Sequence, residues 1–258
     1  MKQVRILQVS ALLLMAMSLS SCVEVTRTLA FDGKKVVETR NLKGFEEIEI
    51  SGSPTVYYTQ ADTFSVRVEG KADAVERIIT EVEYGTLRIR NRSKVGPVNV
   101  VITTGSQPVV HVTSPDLVGI HLKGSGDFIS EHRIDTDIIN VDLRGSGDID
   151  IDELLCDRCR VELVGSGDID IKRLEAQATT AELVGSGDID IRQHKVDTTS
   201  LLLKGSGDIK VDFADGCNSA NCELYGSGDI DLKGSLRHLS SQKRGSGDID
   251  IDKLYVGK

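Results

Sequence analysis

The chain has 258 residues, with 40 acidic and 31 basic side chains, a formal net charge of −9, 4% aromatic residues and no Trp. The negative balance disfavours a nucleic-acid partner, because phosphates are held by basic surfaces, and the scarcity of rings argues against sugar binding by aromatic stacking. The length suits one elongated domain.

At the N-terminus, Lys2 and Arg5 precede an apolar stretch from Ala11 to Leu19. That stretch is too short to remain as a membrane span and has the layout of a secretory signal over residues 1–21. It ends in Leu19-Ser20-Ser21-Cys22, which resembles a bacterial lipobox. The resemblance implies cleavage before Cys22 and lipidation of its sulfur; the competing reading is an ordinary signal peptide with an incidental cysteine. Loss of Lys2 and Arg5, with no acidic residue among the first 21, takes the net charge from −9 to about −11. No second membrane-spanning segment follows. In this lipoprotein class Gly or Asp after the anchor cysteine directs retention at the inner membrane. Here Val23-Glu24 follow, so outer-membrane anchoring is expected, with the leaflet open. Residues 22–37 read as anchor and linker and 38–258 as a single β-solenoid, irregular over 38–115 and regular over 116–258.

In the irregular part, the run from Gly44 to Tyr58 alternates apolar and polar residues around Ser51-Gly52-Ser53. Phe64–Val68 and Thr86–Arg90 read as further strands. Ala72–Val82 has apolar residues near helical spacing and is the one segment that reads as a helix, of a turn or two.

From Gly124 onward the tetrapeptide Gly-Ser-Gly-Asp occurs seven times, every 19 to 21 residues. A fixed period of this length marks a solenoid, whose units bury a core only by stacking on their neighbours. Val161-Glu-Leu-Val-Gly-Ser-Gly-Asp-Ile-Asp-Ile171 shows the unit most clearly. Val161 and Leu163 alternate with Glu162 before the turn, and Ile169 and Ile171 with Asp170 after it, which places aliphatic side chains inside and carboxylates outside. The turns Gly145-Ser146-Gly147-Asp148, Gly165-Ser166-Gly167-Asp168 and Gly185-Ser186-Gly187-Asp188 carry turn chemistry: both glycines tolerate positive φ, and Ser or Asp side chains bond nearby amides. About twenty residues suit one coil of two or three short strands, each paired with its counterpart one coil away at about 4.8 Å. Such a coil buries about five aliphatic side chains, at roughly 1.5 to 3 kcal/mol each before entropy, and is stable only in a stack.

The repeat aligns Asp127, Asp148, Asp168, Asp188, Asp208, Asp229 and Asp248 in one column, and Asp150, Asp170, Asp190, Asp231 and Asp250 in a second. Like charges about 4.8 Å apart repel by roughly 0.9 kcal/mol per pair even in water, so cations or backbone hydrogen bonds must compensate. Calcium is the candidate cation, with Asp148, Asp150, Asp168, Asp170, Asp188 and Asp190 as candidate ligands. The period of about twenty departs from that of the calcium-binding nonapeptide roll. The first column never varies, whereas the second is interrupted by Ile129 and Lys210. An invariant position behaves as a turn requirement met by side-chain to amide bonds, and that structural reading is preferred over calcium.

Cys156 and Cys159, and Cys217 and Cys222, suggest a four-thiolate zinc site. The two pairs fall three coils apart, about 14 Å along the axis, which one metal cannot bridge. In an oxidising compartment two local disulfides are the preferred reading, with free thiols the alternative. The five histidines share no repeat position, no nucleophile elbow is visible, and Gly-Ser-Gly lacks the Lys-Ser/Thr of a phosphate loop. After the last turn, Ile249, Ile251, Leu254, Tyr255 and Val256 follow without an evident cap. An uncovered coil of this kind favours a homo-oligomer joined through the C-terminal end.

Together, Glu38-Thr-Arg-Asn-Leu-Lys-Gly-Phe-Glu-Glu-Ile-Glu-Ile-Ser-Gly52, Val66-Arg-Val-Glu-Gly70, Gly85-Thr-Leu-Arg-Ile89 and the Gly-Ser-Gly-Asp series resemble the autotransporter adhesin head GIN domain family, DUF2807, over roughly residues 38–250. The resemblance implies a right-handed parallel β-helix in exported, often lipid-anchored proteins of Gram-negative bacteria, with an inferred adhesive role and no established catalytic residues. The expected function is therefore a non-catalytic cell-envelope lipoprotein that displays a repetitive acidic face to a polysaccharide or protein surface. The alternative is a structural or envelope-stress protein without an external ligand. An enzyme resembling the β-helical polysaccharide lyases is a minor alternative that rests on fold analogy.

Overall fold

The computed structural model describes residues 25–28, 35–92 and 107–257. The signal segment and Cys22 lie outside the described residues. The first strands are β1 (Val25–Thr28), β2 (Val36–Arg40), β3 (Glu47–Gly52), β4 (Thr55–Gln60) and β5 (Ser65–Gly70). A one-turn helix α1 (Ala72–Val75), β6 (Ile78–Glu83), β7 (Thr86–Asn91) and β8 (Val109–Ser114) follow. The repeats supply β9 (Gly119–Gly124), β10 (Asp127–Asp135), β11 (Ile138–Gly145), β12 (Asp148–Leu155), β13 (Arg158–Gly165) and β14 (Asp168–Glu175). They continue as β15 (Ala178–Gly185), β16 (Asp188–His194), β17 (Val196–Gly205), β18 (Asp208–Gly226), β19 (Ile230–Gly245) and β20 (Ile249–Val256).

The result is a β-solenoid of about 7 turns with about 20 residues per turn. Parallel strands stack in register along two main walls. On the first, β9, β11, β13, β15 and β17 continue into the second half of β18 and then of β19. On the second, β10, β12, β14 and β16 continue into the first halves of β18 and β19, and then β20. The period-2 pattern explains the core: in one coil Ile149, Ile151, Leu154, Val161 and Leu163 all point inward and are 0% exposed. Their registered partners Ile169, Ile171, Leu174, Ala181 and Leu183 continue the same interior columns.

The glycines of the turn serve two different purposes. The first of each pair has positive φ, 142° at Gly145 and 144° at Gly165 and Gly185, as its sequence position suggests. The second does not; Gly147, Gly167 and Gly187 lie outside the left-handed region. It must be glycine because successive turn backbones stack so closely that a Cβ on Gly167 would lie 2.0 Å from the Gly147 carbonyl oxygen. The first glycine meets the same limit, 2.0 Å between a Cβ on Gly165 and the Gly145 oxygen. The serine between them closes the stack: Ser166 N–H donates to the Gly145 carbonyl at 2.9 Å, and Ser186 N–H to that of Gly165 at 2.8 Å.

The irregular N-terminal coils are wound out of chain order. Strand β3 lies between β7 and β9, and β4 between β8 and β10, so the coil that comes first in the chain is second in the stack. Antiparallel strands finish this end: β6 covers β7, while β5, β2 and β1 extend the wall beyond β8. The helix of a turn or two expected within Ala72–Val82 is the single turn Ala72–Val75. Beyond it Ile78, Thr80 and Val82 alternate inward along β6, since β-branched side chains at period 2 favour a strand paired to β7 over a second helical turn. Tyr84 and Gly85, at φ 51° and 81°, make the tight hairpin that this pairing needs.

Candidate binding faces

The first aspartate column runs along the turn edge and is held by backbone bonds. From Asp148 onward, the carboxylate accepts the N–H of the corresponding aspartate one coil later: Asp148 from Asp168 at 3.3 Å, Asp168 from Asp188 at 3.0 Å, Asp188 from Asp208 at 3.0 Å. The series continues with Asp208 accepting from Asp229 at 2.9 Å and Asp229 from Asp248 at 2.7 Å. At the start of the column Thr55 takes the aspartate's place, and its hydroxyl donates to Asp127 at 2.9 Å. The ladder ties successive turns together through their amides, the Asp168 N–H being shared with the Gly147 carbonyl at 3.3 Å.

The second column makes no such link between coils: Asp250 accepts the Asp252 N–H of its own strand at 2.8 Å. Asp150, Asp170 and Asp190 sit opposite one another in successive strands, facing outward. Burial, followed by the charges of Asp190 and Asp150, raises the pKa of Asp170 above the usual carboxylate value. Asp148 is also raised, by burial first and then, against the lowering effect of the Asp168 amide, by neighbouring carboxylates. Lysines offset part of the charge: Lys172 reaches Asp152 at 2.6 Å and Lys210 reaches Asp188 at 3.6 Å. Among the described residues, no group of three or more His, Cys, Asp or Glu side chains converges as a metal site needs. The calcium candidates Asp148, Asp150, Asp168, Asp170, Asp188 and Asp190 are spread along the rod.

Toward the C-terminal end the acidic column becomes mixed. Lys210 replaces aspartate between Asp190 and Asp231, and with Asp212, Lys233 and Lys253 it lines a groove of about 240 Å³. Lys210, interrupting the aspartate register, was the available sequence signal for this groove. The first wall is also mixed rather than acidic. Arg144 pairs with Glu162 at 2.6 Å, Lys204 with Glu182 at 3.2 Å and Lys123 with Glu49 at 2.8 Å. His121 Nδ1 lies 2.7 Å from Asp142. That hydrogen bond raises the His121 pKa and lowers that of Asp142.

Cys156, Cys159, Cys217 and Cys222 are free and buried, and the two expected pairs differ in geometry. Cys217 and Cys222 both belong to β18, and five residues of strand separate them by more than about 10 Å, beyond disulfide reach. They occupy core positions, Cys222 in register with Leu201 and Cys217 with Val196. The Cys156 and Cys159 thiols do meet, and the bond from Cys156, then burial, raises the Cys159 pKa. Burial pushes Cys222 up to about 12. All four are buried packing groups, and the raised pKa values of Cys159, Cys217 and Cys222 keep these three from acting as nucleophiles at neutral pH.

A family described as "Putative auto-transporter adhesin, head GIN domain" (DUF2807) matches residues 44–216. A solved putative adhesin from Bacteroides fragilis NCTC 9343 is 27% identical, with a TM-score of 0.75, covering 84% of this chain and 97% of that one. A putative adhesin from Parabacteroides distasonis ATCC 8503 has the same fold at 20% identity and a TM-score of 0.61, covering 84% and 97% of the two chains. A protein from the same organism described as a putative lipid binding protein also shares the fold, at 20% identity and a TM-score of 0.60, over 85% and 98%. No curated protein matches the sequence.

Proposed function

The chain belongs to the head GIN domain family of putative auto-transporter adhesins, and from that premise we propose that it is a non-catalytic binding module of the cell envelope, lipid-anchored through Cys22 at the outer membrane. The observation that carries this reading is the register of the repeat. Outward positions recur one coil apart along a rod, from Asp150 through Asp170 and Asp190 to the Lys210 groove. A rigid array of this kind suits weak polar contacts to a polysaccharide or protein surface, which add through high effective concentration. Among the described residues, no outward histidine, cysteine or serine is set beside a base in the manner of a nucleophile. The His121–Asp142 pair instead belongs to a charge-paired wall.

Two experiments test the proposal. A screen of the purified protein against glycans, matrix proteins and envelope polysaccharides should find saturable, salt-sensitive binding. Palmitate labelling of the expressed protein should be lost in Cys22→Ser. Absence of binding to every surface, with the protein reached only by periplasmic protease, would favour an internal structural role.

A further inference from the structure

The two walls end differently at the C-terminal end of the solenoid. On the first wall, the inward positions held by Cys222 and Leu224 in β18 are taken by Ser241 and Lys243 in β19, and both are exposed. Lys243 Nζ bridges to Asp248 Oδ1 of the last turn at 2.5 Å. This wall closes in polar groups that water can solvate. On the second wall, β20 pairs with β19 alone among the described residues, which leaves the backbone groups of its far edge for another strand. Ile251, Tyr255 and Val256 are 42%, 73% and 44% exposed, and Ile249 and Leu254 are only partly buried.

The sequence of β20 is complementary to itself when reversed. In Ile249-Asp250-Ile251-Asp252-Lys253-Leu254, reversal exchanges Ile249 with Leu254 and Asp250 with Lys253. Two copies laid antiparallel about a two-fold axis between Ile251 and Asp252 therefore set each Asp250 opposite a second copy's Lys253, and each Ile249 opposite its Leu254. Directly opposed residues of an antiparallel pair lie on the same face; the extra residue of the β20 bulge brings Asp250 and Lys253 to one face and Ile249 and Leu254 to the other, so both contacts form twice. The bulge of β20 against β19, between Asp250 and Lys253, falls on the axis. Registers displaced by one residue set Asp252 against Asp252 or Asp250 against Asp252, and like charges directly opposed are unfavourable. We propose that the chain forms an end-to-end homodimer by antiparallel pairing of β20 with β20 of a second copy, with Asp250 and Lys253 fixing the register. This dimer stands independently of the adhesive reading.

Sedimentation of the purified protein over a range of concentrations tests it. The expected result is a concentration-dependent dimer that Asp250→Lys or Lys253→Glu each weaken by about tenfold or more, while the double variant Asp250→Lys/Lys253→Glu recovers the original affinity. Both side chains are exposed on β20, and circular dichroism should show all three variants folded. A monomer at every concentration, an oligomer larger than a dimer, a dimer indifferent to both reversals, or failure of the double variant to recover would each overturn the proposal.

Discussion

The carboxylate of Asp168 accepts the backbone N–H of Asp188, one coil away, at 3.0 Å. The link makes the most repeated side chain of the sequence part of the inter-coil ladder. Asp168→Ala should therefore lower stability by about 1 kcal/mol, whereas Asp168→Asn, which keeps the acceptor oxygen, should cost only a few tenths. Urea midpoints of the two variants measure the difference. Equal losses would show that the charge rather than the acceptor matters.

Turn stacking sets a stricter limit. A Cβ on Gly167 would stand 2.0 Å from the Gly147 oxygen although the φ of Gly167 is not left-handed. Gly167→Ala is expected to cost more than about 3 kcal/mol, because the whole coil must shift. The exposed neighbour Ser166 should tolerate Ala within about 0.5 kcal/mol. Thermal melts of both, compared with Gly165→Ala, separate close approach from backbone conformation.

The period was legible because each coil repeats one simple pattern: Ile149, Ile169 and Ile189 inward, Asp150, Asp170 and Asp190 outward. The amide-bonding role of the Asp168 column was legible from its invariance along the chain. The crossing of the N-terminal coils was not, since Ile48 and Ile50 have the same alternation wherever β3 is inserted in the stack, and only three-dimensional pairing places β3 between Leu87 and Ile120. Spacing alone also could not tell the two cysteine pairs apart. A short separation in sequence brings Cys156 to Cys159 at a corner but carries Cys222 away from Cys217 along a strand.

Burial, with charge repulsion second, gives the fold a pH dependence of known sign. The Asp170 pKa is raised in the folded state by burial and then by Asp190 and Asp150, so the folded chain binds its proton more readily than the unfolded one. The group then costs stability above its folded pKa, and the cost vanishes once the pH falls below the unfolded value near 3.9. Asp170→Asn should raise the melting temperature at pH 7, by the equivalent of about 0.5 kcal/mol, and the gain should shrink in high salt and disappear near pH 3.5.

Buried thiols should resist reagents until the fold opens. In the native protein none of the four buried cysteines should react quickly with a charged thiol reagent at pH 8, given the raised pKa values of Cys159, Cys217 and Cys222. In denaturant without reductant all four should react. A Cys217–Cys222 linkage in the peptide map would contradict the strand geometry of β18.

Multivalent display is tested most directly by removing one coil. Deleting residues 165–184 joins Val164 to Gly185, which preserves the register because Gly165 and Gly185 are stacked equivalents. The expected result is a folded protein whose saturable binding to its surface ligand is weakened by about tenfold or more relative to the full rod. Unchanged affinity in the shortened rod, or no saturable binding by the full rod to any surface tested, would contradict it.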